Sequence, residues 1–597
     1  MNAHPDSQKG FTLVEVLVGI AVFVIVALSI SNAYIKVMEA VRLAKVKIAA
    51  TALANEQFEI VRNLPYADVG IVAGIPAGKI EHAQTLMRDN ISFVAETTIR
   101  NIDDPFDGTI GGTPNDTSPA DYKLVELEIT CLSCKNFSPL EFTTHVAPRG
   151  LETASTNGAL FVQVFDAMGL PIQGADVHIE NNQEAPPLVI DDTTDNNGFL
   201  QIVDAPPGAE SYEIAVSKAG YSQDRTYATG EPENPNPLKS HATVALQQLT
   251  EISFAIDKTS DLSVESVTQT CSPVGNIDFS LTGSKLIGTN PDVIKYSLDH
   301  TTNASGQKTI SGLEWDTYAL ALTDAAYDLA GTIPSMPLIL NPDTSQNLKL
   351  VMQAKNPNSL LVTVKDAGTQ LPLADAEVQL QGASFDSTLM TGRGFLRQTD
   401  WSGGAGQEDF TDPTKYFESD GNVEIADPTG ELRLRKIFDE YESSGYLVSS
   451  TFNTGPASNF HQLLWQPQNQ PPETGADSVK FQIATNNDKM TWNFIGPDGT
   501  AGSFYTFSTP DINSIHNGDQ YLRYKVFLNT DDIGFTPNVA EVAFTFTSSC
   551  VPSGQVFFTG LGAGDYDITV SKTGYGTFND TLAISSSWQE RQVFLTP

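Results

Sequence analysis

A run of apolar residues from Phe11 to Ile30, interrupted by a single charge at Glu15, constrains this chain more than any other feature. It follows a short leader ending Lys9-Gly10. About twenty such residues are what a helix needs to cross a bilayer. A carboxylate in hydrocarbon costs several kcal/mol unless it is neutralised or near the interface, so Glu15 needs a partner. An ordinary secretory signal has a longer basic segment and a small-x-small cleavage site. Neither is present.

The segment from about residue 9 to 35 resembles the N-terminus of type IV prepilins and of the pseudopilins of type II secretion, in the glycine, the apolar run and the placement of its one acid. The resemblance implies cleavage after Gly10 by a prepilin peptidase and N-methylation of the new terminus, Phe11. It also implies that Glu15, fifth in the mature chain, meets the terminal amine of a neighbouring subunit during assembly. The alternative role for Glu15 is to snorkel toward the headgroups. Proline is absent from 11 to 64, so no proline-associated kink is expected.

Beyond the apolar run, Val37, Val41, Ala44, Ile48, Ala52 and Phe58 keep one face, while Lys36, Glu39, Arg42, Lys45 and Glu56 lie mostly off it. Pro65 predicts a helix end near Leu64. A helix over 11–64 is roughly 80 Å long at about 1.5 Å per residue. A small β-rich head is expected over 65–150, with neighbouring strands at Tyr122–Thr130 and Leu140–Val146. This arrangement is what the pilin resemblance implies.

With 597 residues, 45 glycines, 34 prolines and few charges, the remainder reads as several β-modules joined by turns. The expected fold class is multidomain and mainly β: a long N-terminal helix with a small pilin-like head, then β-sandwiches. The 72 acids against 34 bases give a net charge of −38, which the leader leaves unchanged. Such a surface repels phosphate backbones and anionic membranes, so no nucleic-acid binding by the main body is expected.

Residues 158–250 read as a first sandwich, with strands such as Phe161–Phe165 and Tyr212–Ser217 separated by Gly, Asp and Pro turns. It resembles the prealbumin-like modules of carboxypeptidase-regulatory and collagen-adhesin B-type domains. A divergent copy is expected at 271–354, after a linker at 251–270 whose second half lacks strong hydrophobic patterning. The third copy is split. Leu361–Gly368 and Pro372–Leu380 parallel the first module's opening, with Thr399-Asp400 aligned on Thr194-Asp195. The continuation returns only at Ser553–Phe558, and Asp565–Tyr575 echoes Tyr212–Tyr221. Module three is therefore placed at 358–400 plus 553–597, with 401–552 inserted in a surface turn, a site where insertions are tolerated. The insertion, with at least six strand-like segments, resembles jelly-roll modules of the discoidin or carbohydrate-binding type.

No histidine spacing suits a metal site, and no nucleophile elbow, phosphate loop or dinucleotide fingerprint occurs. No enzyme and no cofactor are expected, Ca²⁺ being the one candidate ion. In the insertion, Trp465, Trp492 and Tyr505 are candidates for an aromatic platform, and Asp498, Asp531 and Asp532 for Ca²⁺ or hydroxyl contacts. The competing reading makes each tryptophan a core residue and Gly496–Gly499 a plain turn. Cys131 and Cys134 (C-L-S-C) can form a local disulfide, bind metal weakly or stay reduced, and the state of Cys271 and Cys550 is open. Collagen-adhesin-like modules sometimes carry a Lys–Asn isopeptide bond. Lys365 lies in a suitable first strand, but the closing strand Arg591–Leu595 offers no Asn, so no bond is expected.

The function this implies is a pilin-like subunit, minor or tip-associated, of a type IV pilus that displays adhesive modules. The alternatives are a pseudopilin of a secretion or DNA-uptake system and a membrane-anchored binding protein that never polymerises. Expected partners are the prepilin peptidase, other pilin helices, the inner-membrane assembly platform and a glycan or surface ligand. The expected location is the inner membrane as precursor, then the pilus at the cell surface.

Overall fold

The computed structural model describes residues 12–150, 154–508 and 511–597. It is mainly β and multidomain, with one long helix and several β-sheet modules. Two compact units emerge, Met1–Lys258 with Leu286–Val293, and Thr259–Lys285 with Ile294–Pro597.

In the first unit, helix α1 (Leu13–Asn63) runs 51 residues without interruption, about 77 Å at about 1.5 Å per residue. Its second half packs Val46, Ala50, Leu53, Ala54, Phe58 and Val61 against a four-stranded antiparallel sheet. The strands are β1 (Ala83–Arg88), β2 (Ile91–Ile102), β3 (Tyr122–Cys131) and β4 (Leu140–Val146), in sequential order. Alternation decides the sheet's inner face: Phe93, Ala95 and Ile99 of β2 and Val125, Leu127 and Ile129 of β3 meet the helix. Lys123, buried on β3, donates to the carbonyls of Tyr66 (2.9 Å) and Val69 (2.6 Å) and so anchors the turn that follows α1. Cys131 and Cys134 are disulfide-bonded where β3 ends.

Three sandwiches share one topology. In each, the opening strand pairs antiparallel with a middle strand and parallel with the closing strand. The opening strands are Gly158–Phe165, Ser260–Val267 and Ser359–Asp366; the closing strands are Leu249–Ala255, Ser345–Ala354 and Trp588–Leu595. The segment expected to be a linker at 251–270 is therefore mostly strand, closing the first sandwich and opening the second. Its weak hydropathy misled because Ser260 and Ser266 are buried there through hydrogen bonds, not apolar contacts.

The insertion point is set by one turn. In the first sandwich Thr194 accepts from Ala175 N–H (2.9 Å) and donates to the Ile172 carbonyl (2.6 Å). Four residues on, Gly198 at φ 74° gives its carbonyl to Val164 N–H. In the second, Thr302 and Gly306 (φ 73°) occupy the same places, bonded to Ile277 and Ser266. In the third, Thr391 accepts from Ala376 N–H and donates to the Leu373 carbonyl, while the glycine, at φ 68°, is Gly554. Gly554 offers its carbonyl to Val364 N–H at 2.8 Å. The inserted chain thus replaces the short Thr-to-Gly turn, and Thr391, not Thr399, is the counterpart of Thr194. The strand Gly394–Gln398, assigned from sequence to the split sandwich, pairs instead with Glu541–Thr547 of the insertion.

The insertion holds a seven-stranded sheet and a three-stranded sheet (Val423–Ala426, Thr429–Leu434, Asn538–Val539). Its core gathers Trp401, Phe452, Trp465, Phe481, Tyr505, Tyr524 and Phe544. A disulfide joins Cys550, where the chain leaves the insertion, to Cys271 of the second sandwich. The second and third sandwiches are joined by buried Gln555, whose amide exchanges two 3.0 Å hydrogen bonds with the backbone of Thr332.

Candidate functional site

The N-terminal half of α1 is built differently from the rest of the molecule. Every residue from Thr12 to Arg42 is exposed, including Leu17, Ile20, Phe23, Ile25, Leu28 and Ile30. The helix is long and apolar enough to cross a membrane. Burial begins only at Val46, where small residues (Ala49, Ala50, Ala54) let the helix approach the head sheet closely. One helix therefore carries two solvents' worth of sequence, an apolar rod and a stalk fitted to a β-sheet.

At its start, Thr12 and Glu15 form a reciprocal cap. The Thr12 backbone N–H and hydroxyl both donate to Glu15 Oε2 at 2.9 Å, and Glu15 N–H donates to Thr12 Oγ1 at 3.3 Å. This satisfies amides that the first turn leaves without partners and sets the carboxylate where the helix dipole favours negative charge. The T-x-x-E signal lies in the sequence and points to this cap, a role distinct from the subunit contact and the headgroup contact that the sequence suggested for Glu15. Gly10 and Phe11, the expected processing residues, lie outside the described residues.

The candidate binding residues of the insertion do not converge. Trp465 and Tyr505 are 3% and 1% exposed and belong to the core, so the three-ring platform is not formed. Strand alternation turned Trp465 inward, against Phe481 at 4.9 Å between ring centroids. Trp492 is half-buried, and its ring lies 4.4 Å from the guanidinium carbon of Arg523. Asp498 folds back on its own turn: hydrogen bonds from the Ser503 hydroxyl, and from the Thr500 hydroxyl and N–H at 2.8 Å, hold its carboxyl below the usual carboxylate range. Asp532 accepts from Gly534 N–H at 2.9 Å in another turn. Neither Asp498 nor the Asp531–Asp532 pair joins a cluster: among the described residues no three His, Cys, Asp or Glu side chains are grouped to hold a metal. Lys365, considered for a covalent crosslink, donates to the Met336 carbonyl at 3.0 Å.

Sequence reasoning passed over the residue that organises the insertion's other face. Arg523 is 3% exposed, bonded through Nε to Thr451 (2.8 Å), and sandwiched between Trp492 and Phe417. Burial pulls its pKa down. An arginine between Leu522 and Tyr524 in a strand was legible only as an outward-facing charge.

Residues 5–31 match the family described as "Prokaryotic N-terminal methylation motif". The chain thus carries a prepilin-type N-terminal motif, whose described residues from Thr12 onward are exposed. A comparison with curated protein sequences finds no match. Among solved structures, the minor pilin GBS52 of the Gram-positive pathogen Streptococcus agalactiae overlaps 33% of this chain and 96% of its own, at 15% identity and a TM-score of 0.18. The Bacillus anthracis TIE protein overlaps 53% and 67%, at 14% identity and a TM-score of 0.16. The streptococcal ancillary pilin overlaps 74% and 98%, at 10% identity and a TM-score of 0.14. Overlaps this slight bear no weight, and the architecture rests on strand pairing alone.

Proposed function

We propose that this chain is a minor or tip-associated, non-catalytic subunit of a type IV pilus that displays its β-modules outward for adhesion. The observation that supports this reading is the coincidence of the methylation motif at 5–31 with a helix exposed from Thr12 to Arg42. An apolar rod of that length is unstable in water at roughly 25 cal/mol per Å². It requires lipid before assembly and neighbouring helices afterwards. In this reading a prepilin peptidase cuts after Gly10, Phe11 is methylated, and Glu15 exchanges its contact with Thr12 for the amine of an adjacent subunit. The inner-membrane assembly platform then moves the subunit into the filament. The sandwiches act as prealbumin-like spacers, and the insertion is the adhesive element.

Sheared, purified filaments probed for this chain by mass spectrometry and immunogold labelling test the proposal. Labelling at filament ends or at sparse sites along the shaft is the expected result. Recovery of the chain only from membranes, with its first ten residues retained, overturns it.

A further inference from the structure

The outward face of the insertion's main sheet carries a ladder of cations set against aromatic rings. On the strand Asp519–Asn529, Leu522, Tyr524, Val526 and Leu528 enter the core, and Arg523, Lys525 and Phe527 take the other side. Lys525 Nζ lies 3.7 Å from the centroid of Tyr446 and 5.0 Å from that of Phe527. On the adjacent strand Lys480, paired in register with Phe527, sits 5.8 Å from the ring of Phe504. Phe504 in turn meets Phe527 edge-on at 5.3 Å. Tyr446, Phe504 and Phe527 are all half-buried, so each offers part of a ring to solvent.

The charge pattern here departs from that of the chain. Acids outnumber bases 72 to 34, yet among the described residues neither Lys480 nor Lys525 has an acidic partner within ion-pair distance. Glu408 and Asp409 lie about Arg523, where Asp409 also pairs with Lys489, while Glu418 stands in the cross-strand row of Lys525, two strands away through Val448. Arg523 itself leaves Nη2 buried without a hydrogen-bond partner, its nearest acid being Glu408 at 3.9 Å. The ladder therefore joins an acid-flanked arginine to two lysines that make no ion pair among the described residues and are framed by three rings, with Asp420 accepting from Tyr446 N–H at 3.2 Å on the same strand edge.

We propose that this cationic, aromatic patch binds an acidic polysaccharide, a chain of sugar rings bearing carboxylate or sulfate groups. The inference rests on the adhesive reading above and names its surface and ligand class. Sugar C–H faces pack on exposed rings, and the two lysines supply charge-assisted hydrogen bonds to the anionic groups. A neutral glycan leaves both lysines unpaired. Duplex DNA, with a charge every ~1.7 Å of its axis, meets repulsion from the surrounding acids that a sparsely charged polysaccharide escapes.

The test uses the full chain in detergent, titrated against immobilised polygalacturonate, dextran sulfate, unmodified dextran and duplex DNA. The carboxylated and sulfated arms separate the two sources of anionic group. Binding to at least one acidic polymer, tenfold or more above dextran and weakened by salt, is expected. The double variant Lys480→Gln/Lys525→Gln should lose that binding by tenfold or more with an unchanged melting temperature, and Lys480→Arg/Lys525→Arg should retain it. Equal binding to dextran, tighter binding to DNA, no binding to either acidic polymer, or indifference to the glutamine variant each overturns the proposal. Filament labelling is scored separately. A chain found on filaments that ignores both acidic polymers sinks this inference alone, whereas a chain absent from filaments that binds them sinks the pilus reading and leaves the surface standing.

Discussion

Cys271 and Cys550 lie 279 residues apart in sequence and are joined by a disulfide. The bond fastens the exit of the insertion to the second sandwich, beside Lys349, whose ammonium donates to the Ser549 carbonyl at 3.2 Å. Without it, the insertion is held covalently only by the two chain crossings into the third sandwich. Replacing both cysteines by serine is expected to cost about 2–5 kcal/mol, because so long a loop is then free in the unfolded chain. Thermal unfolding, followed with limited proteolysis of the insertion, measures the loss. An unchanged melting temperature and cleavage pattern would show that the noncovalent contacts suffice.

Thr391 holds the turn that the insertion interrupts. Its hydroxyl serves Ala376 N–H and the Leu373 carbonyl, and the residue is fully buried. Thr391→Val keeps the shape and removes both bonds, so a loss of about 1–3 kcal/mol is expected from the stranded backbone groups. Thr194→Val should cost a similar amount in the first sandwich, where the same bonds recur. Chemical denaturation of the two variants makes the comparison; a Thr391 variant as stable as the parent removes the shared-turn account.

Arg100 on β2 joins the head to the first sandwich, donating from Nε to Asp192 at 2.7 Å and from Nη1 to Glu126. Asp192 has a nearly buried side chain. Arg100→Ala strands that carboxylate, and breaking a buried pair costs on the order of 3–5 kcal/mol. Calorimetry of the full chain should show an earlier transition. Asp192→Asn in the same background should recover part of it, and no recovery would assign the loss to packing.

His516 in the insertion is 2% exposed, with Nδ1 3.0 Å from the Thr485 hydroxyl and Nε2 without a partner. Burial pushes its pKa down to about 4 from the ordinary value of 6.5. Below the ordinary value the unfolded chain binds a proton that the folded insertion refuses. The neutral form's advantage is therefore complete above about pH 6.5 and is lost progressively as pH falls toward about 4, by up to about 3 kcal/mol. His516→Gln should flatten the decline in melting temperature over that window. Parallel curves for parent and variant would contradict the assignment.

Glu15 offers a test that separates capping from charge. Glu15→Gln keeps an oxygen for the Thr12 amide but removes the negative charge, whereas Glu15→Ala removes both. Both variants should insert in membranes. If the charge meets a neighbour's amine, both should enter filaments at roughly a tenth of the parent level or less, in line with a lost charge pair of at least about 1.4 kcal/mol. Normal incorporation of the glutamine variant would leave Glu15 as a cap only.

The legible parts of this molecule were those governed by short-range pattern. The uninterrupted helix followed from composition and the position of Pro65, and the strands of the head followed from period-two alternation at Tyr122–Thr130. The echo of Tyr212–Tyr221 in Asp565–Tyr575 pointed to a sandwich in two separated parts, and in the structure Ser359–Asp366 pairs with Gln555–Phe558 and Trp588–Leu595. The edge of that split was misjudged by several residues, since Gly394–Gln398 alternates as well for one sheet as for another.

What the chain alone determined was the apolar rod, the acid near its start and the β-repeats, all properties of neighbours in sequence. Only the tertiary structure decided that Trp465 and Tyr505 face the core, that Thr391 and Gly554 close one turn across the insertion, and that Cys271 meets Cys550. Those outcomes depend on which faces and ends are brought together over long separations. A strand's period says which residues share a side, but the partner sheet alone determines which side is inside.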